Sequence, residues 1–180
     1  MKKPAHTIDI FLQPGEWYFG GRDTSIRTVL GSCVSITLWH PRRLLGGMCH
    51  YMLPSRGGKA PPSEWDGRYA DEAIELMLRE MRAAGTRPSE YELKLFGGGN
   101  MFPRLLRTRK NEDVPFKNVE TARALARHYG FRILAEHLGG EGHRNVRFDI
   151  WSGHVWLKHD QCSSNDLCEL CEQGIVCQGK

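Results

Sequence analysis

Residues 28–53 read TVLGSCVSITLWHPRRLLGGMCHYML, and how this stretch folds back on itself decides the architecture around it. Residues 28–39 and 44–53 are apolar and rich in β-branched or long side chains, with the turn-forming His40-Pro41-Arg42-Arg43 between them. Proline at the second turn position favours a four-residue loop built on a type I turn, which sets Trp39 opposite Leu44. The ladder then runs through Thr37–Gly46 and Ser35–Met48 to Cys33–His50. Directly opposed residues have Cα atoms about 4.5–5.5 Å apart and share a face. A thiol and an imidazole placed so are the minimal nucleophile–base pair. Cys49 falls on the other face, against Val34, and reads as core.

Outward from this hairpin, residues 54–63 (PSRGGKAPPS) are too rich in Pro and Gly for regular structure and read as a mobile surface loop. Residues 69–84 repeat with helical period, with Ile74, Met77, Leu78 and Met81 on one stripe and Gly85 as the stop. Tyr91 to Phe96 alternates as a strand and runs into Gly97-Gly98-Gly99-Asn100. These glycines suit either a tight turn, the favoured reading, or close approach of backbone to the Cys33 site. They are no phosphate cradle, since the lysine and hydroxyl of a P-loop are missing. A second helix fits Lys117 to Tyr129, with Val119, Ala122, Leu125 and Ala126 inward. A short strand over 131–135, a loop over 138–144 and a hairpin (145–151 and 154–158, closed by Ser152-Gly153) follow. The order strand, strand, helix, strand, helix, strands indicates an α+β fold, not a doubly wound sheet.

The chain has 180 residues and a net charge of +4, enough for one domain with a real core. No apolar run approaches the roughly 20 residues that span a bilayer, and the N-terminus reads as no signal peptide, so a cytoplasmic protein without membrane insertion is expected. The basic clusters (Arg42-Arg43, Arg104 to Lys110, Arg144 to Arg147) read as solvated surface; nucleic-acid binding would need interleaved aromatics and a larger charge excess. Cys162, Cys168, Cys171 and Cys177 crowd the last twenty residues. Their spacing makes them a weak zinc candidate against a frayed tail of reduced thiols, so a main domain over 1–160 and a flexible tail over 161–180 are expected.

The chemistry that Cys33 and His50 support needs no cofactor. An imidazole in reach favours thiolate by forming an ion pair. Gly31 and Ser32 leave the approach open, and the backbone N–H of Ser32 or Cys33 is a natural oxyanion donor. A third group should orient the imidazole, and the candidates are hydroxyls, Thr28 first and Ser35 next.

Six ordered blocks carry a resemblance: Leu30-Gly31-Ser32-Cys33-Val34; Gly46-Gly47-Met48 with His50 and Met52-Leu53-Pro54; Arg68-Tyr69-Ala70-Asp71; Phe96 to Met101; Asn118-Val119-Glu120; and Leu138-Gly139-Gly140. Over about residues 10–158 the chain resembles the chemoreceptor glutamine deamidases, the CheD family. The resemblance implies mixed β-sheets with flanking helices, similar to the catalytic domain of cytotoxic necrotizing factor toxins. It implies a Cys–His–Thr hydrolase that converts glutamines of chemotaxis receptors to glutamate and releases ammonia, with Cys33 as nucleophile and His50 as base. The receptor's helical bundle is the implied substrate, docked through the basic surface and the 54–67 loop. An alternative is a non-catalytic adaptor for a CheC-type phosphatase, and another is a thiol peptidase or acyltransferase. The family's threonine lies six residues before the cysteine, where this chain has Arg27. Thr28 lies five before, and on one ideal strand those two positions face opposite sides, so Thr28 would need a bulge at Gly31 to reach the site.

Overall fold

Buried on both faces, VSITLWH forms β4 (Val34–His40), the centre of the molecule. A strand covered on both sides reads as a continuous apolar run, and this is the reason for that composition. The computed structural model describes residues 2–58, 61–101 and 113–159, together with the backbone of 175–177. One sheet has the order β2 (Trp17–Gly20), β5 (Leu45–Cys49), β4, β6 (Glu92–Gly97), β7 (Arg132–Leu138). The other has the order β1 (Ile8–Phe11), β3 (Thr24–Leu30), β8 (Arg144–Asp149), β9 (His154–His159), β10 (Ile175–Cys177). Both are mixed, since β1 with β3 and β6 with β7 are parallel while β4 is antiparallel to β5 and β6.

The layers follow from the two cores. Ile26, Leu30, Met48, Phe96, Val146 and Phe148 fill the space between the sheets. Val34, Ile36, Cys49 and Tyr51 point the other way, against helices α1 (Ala70–Ala83) and α2 (Val114–His128). The α+β expectation holds, and both helical stripes are where periodicity places them, with Ile74, Met77, Leu78 and Met81 buried. Helix α2 starts three residues earlier than expected because Asp113 caps it, its carboxylate accepting from the Phe116 N–H at 3.2 Å. Among the described residues no helix is long and apolar enough to cross a membrane.

Four expectations need correction. Residues 28–39 are not one strand: β3 and β4 belong to different sheets, and the chain crosses between them at Gly31-Ser32-Cys33. The β4–β5 register pairs Thr37 with Met48 and His40 with Leu45, two residues away from the expected ladder. The loop is 41–44 because Leu44 adopts a left-handed φ of 52° and donates its N–H to the His40 carbonyl at 2.9 Å. Arg56, at the start of the loop after residue 54, makes a paired contact with the buried Glu72 carboxylate at 2.6 Å. Arg144 is not surface but 1% exposed, donating to His137 Nδ1 at 2.7 Å and to the Gly139 carbonyl. The 104–110 cluster and Cys162, Cys168 and Cys171 lie outside the described residues, and only the backbone of Cys177 is described.

Candidate active site

A shift of two residues leaves every side chain on its original face, because strand side chains alternate with period two. Cys33 and His50 therefore both lie on the side that faces the other sheet. Cys33 packs against the intersheet core, and His50 is 2% exposed. Val34 bridges Tyr51, so Cys33 is a diagonal and not a direct neighbour of His50. Diagonal Cα atoms on paired strands lie about 7–8 Å apart. In keeping with that, the thiol makes no hydrogen bond to His50, whose Nε2 is buried without a partner among the described residues.

The other ring nitrogen is held. Thr28 Oγ1 lies 2.8 Å from His50 Nδ1 and 2.8 Å from the Leu12 carbonyl. That carbonyl only accepts, so the single hydroxyl proton goes to it. Oγ1 then accepts from Nδ1–H, and the lone pair is left on Nε2. No bulge brings Thr28 there. It sits on the inner face of β3 beside Ile26 and Leu30, and the intersheet crossing at residues 31–33 turns β4 and β5 to meet it. Arg27, where the family pattern expects threonine, points outward over the Phe11 ring at 5.3 Å. Ser35 is fully buried and its hydroxyl has no partner among the described residues.

Burial sets the electrostatics. It lowers the His50 pKa from 6.5 to about 4, against the opposing effects of the nearby Leu12 carbonyl and the Glu16 charge. Burial also raises the Cys33 thiol above its ordinary value, partly offset by a hydrogen bond from the Ser32 side chain. Both shifts favour the uncharged forms, a thiol and a neutral imidazole, over the thiolate–imidazolium pair expected from sequence.

The turn that carries Cys33 is held by its carbonyls. Gly99 N–H donates to Gly31 O at 2.8 Å, Asn118 Nδ2 to Ser32 O at 3.2 Å, and Gly98 N–H to Cys33 O at 2.7 Å. The N–H groups of Ser32 and Cys33 have no acceptor among the described residues. The glycine run therefore approaches the site and is not merely a tight turn. Gly97 has φ 112°, and a Cβ there would stand 2.2 Å from the Cys33 carbonyl oxygen. Sequence reasoning assigned no site role to Leu12, which supplies a carbonyl, or to Asn118, whose signals are its place in the Asn118-Val119-Glu120 block and a polar residue in an apolar stripe with Ala122 and Ala126. Among the described residues no cluster of His, Cys, Asp and Glu could hold a metal.

The family described as CheD chemotactic sensory transduction matches residues 52–159. A probable chemoreceptor glutamine deamidase CheD of Pseudomonas fluorescens is 51% identical over 159 residues, covering 88% of this chain and 89% of that protein. One from Dechloromonas aromatica is 51% identical over 165 residues, covering 91% and 95%. A more distant one from Leptospira interrogans is 36% identical over 164 residues, covering 88% and 97%.

Proposed function

This chain belongs to the CheD family, and we propose that it is a cysteine hydrolase that deamidates glutamine side chains of chemoreceptors. The observation that carries the mechanism is the 2.8 Å contact of Thr28 with His50 Nδ1, which leaves Nε2 as a bare base on the face that Cys33 shares. With both groups neutral, Nε2 takes the thiol proton as sulfur attacks the carboxamide carbon. The resulting oxyanion is received by the N–H groups of Ser32 and Cys33. The imidazolium returns its proton to the departing nitrogen, the C–N bond breaks, and ammonia leaves a thioester. Nε2 then deprotonates a water, which attacks the thioester carbon. The thiol is restored and the product is glutamate. Catalytic hydrogen bonds are commonly long before substrate arrives, so the diagonal placement of Cys33 and His50 suits a site that tightens around the carboxamide.

The setting suits a side chain presented by a large partner. Exposed Met52 and Met101 flank the Cys33 turn, and exposed Leu53 follows Met52 in the chain, leading into the 54–67 loop. The test is the mass of a receptor cytoplasmic fragment co-expressed with wild-type or Cys33→Ala protein. Glutamine-to-glutamate conversion should be lost with the sulfur, and conversion that persists in the variant removes the assignment. Loss of conversion with undiminished binding of the fragment also separates catalysis from the adaptor reading.

A further inference from the structure

Asn118 joins the two arms of the site from a third element. Its side chain is fully buried on α2, and one nitrogen donates to two carbonyls: Ser32 O at 3.2 Å and Met52 O at 2.8 Å. The first belongs to the residue before Cys33 and the second lies two residues after His50. Its own backbone carbonyl accepts from Tyr51 Oη at 2.6 Å, so the helix is separately attached to the same strand. The side-chain oxygen Oδ1 is buried with no partner among the described residues. An unpaired buried acceptor is unfavourable, so this amide is poorly placed to serve stability alone.

Resting on the deamidase reading, we infer that Asn118 is a positioning residue: its amide clamps the nucleophile turn to the His50 strand and turns the Cys33 N–H group toward the reacting atom. The argument is one of direction. In the crossing at 31–33 the three carbonyls are drawn to the glycine run and α2, and the Ser32 carbonyl is the one held by a side chain. Releasing it frees the Ser32–Cys33 peptide unit to rotate. The N–H of Cys33, which belongs to that unit, then leaves the oxyanion position. A misplacement of about 1 Å in such a site costs about 100-fold in rate.

The experiment compares wild type, Asn118→Ala and Tyr51→Phe for conversion of a receptor fragment, thermal stability and the pH profile of Cys33 alkylation. Alanine suits a helix, and Asn118→Ser replaces it should the alanine variant not fold. We expect Asn118→Ala to lower kcat about 100-fold with KM and the alkylation profile unchanged, since Thr28 and His50 are untouched. Tyr51→Phe removes the other attachment of α2 and should lower stability while leaving kcat within about twofold. Equal loss of kcat in both variants, tracking stability, overturns the inference, as does full activity of Asn118→Ala. A wild-type protein that converts nothing overturns instead the deamidase reading on which the inference rests.

Discussion

Cys33, one residue before β4, and Cys49, the last residue of β5, are both free thiols, and their surroundings divide them. Cys49 ends β5 beneath the helices, fully buried among Val34, Ile36 and Ala73, and burial pushes its thiol up to about 12. Cys33 sits where the chain crosses from one sheet to the other, half-buried, and its thiol is also raised. Neither sulfur is made reactive by ready ionisation. What sets Cys33 apart is its company: an imidazole with an unoccupied nitrogen on the same face and two backbone N–H groups with no acceptor among the described residues. The comparison teaches that what distinguishes the two cysteines is the crossing between sheets and not the thiol itself. Replacing Cys33 with alanine, the largest effect expected, should abolish conversion of receptor glutamines. The same change at Cys49 should leave it.

A second way to sharpen the contrast is through pH, because His50 stands beside one cysteine's path and not the other's. Its pKa of about 4 in the fold lies below the ordinary 6.5, so the unfolded chain binds the extra proton first. The stability from keeping His50 neutral is therefore complete above pH 6.5 and is lost as pH falls from 6.5 through 4. The full difference is about 3 kcal/mol. Chemical denaturation of wild type minus His50→Gln, followed from pH 7 to pH 4, should show a gap changing by that amount. A flat difference would mean that the imidazole titrates as in water. The acid limb of the deamidation rate should likewise fall near pH 4.

Thr28 comes next. Thr28→Val keeps the shape but leaves Nδ1–H and the Leu12 carbonyl without their shared hydroxyl. The loss of about 1–2 kcal/mol in orienting the ring corresponds to roughly 10-fold in kcat. Thr28→Ser should retain most of the rate, measured on the same receptor fragment. Equal rates for the valine and serine variants would show that the ring needs no orienting oxygen.

These residues also mark how far the chain could be read without coordinates. Facing was legible at Cys33 and His50 because alternation survives a two-residue shift in register. The register itself was not, since a left-handed Leu44 has no compositional signal of the kind that glycine provides. The helices were legible because their stripes are local. Thr28 is legible as an orienting hydroxyl, but its route to the site is not: strand parity relates positions only within one strand, and the chain changes sheets at Gly31-Ser32-Cys33. Asn118 reaches Ser32 from 86 residues away, and Arg144 is buried beneath the glycine run although it reads as surface charge. Both contacts arise from the packing of layers, which leaves no periodic trace.

The smallest effect returns to the starting pair. Cys49→Ala removes a buried sulfur from between β5 and the helices and leaves a small void. It should cost about 1 kcal/mol of stability with kcat unchanged. Iodoacetamide then gives the complementary reading, resolved peptide by peptide. In the native protein Cys33 should be alkylated while Cys49 reacts only at the rate of unfolding, because its sulfur is both enclosed and held neutral. Should Cys49 alkylate as fast as Cys33 in folded protein, the helical layer over β5 must open readily. The difference between the two thiols would then be one of degree, and the crossing at residues 31–33 would lose its claim to be the only reactive position on the hairpin.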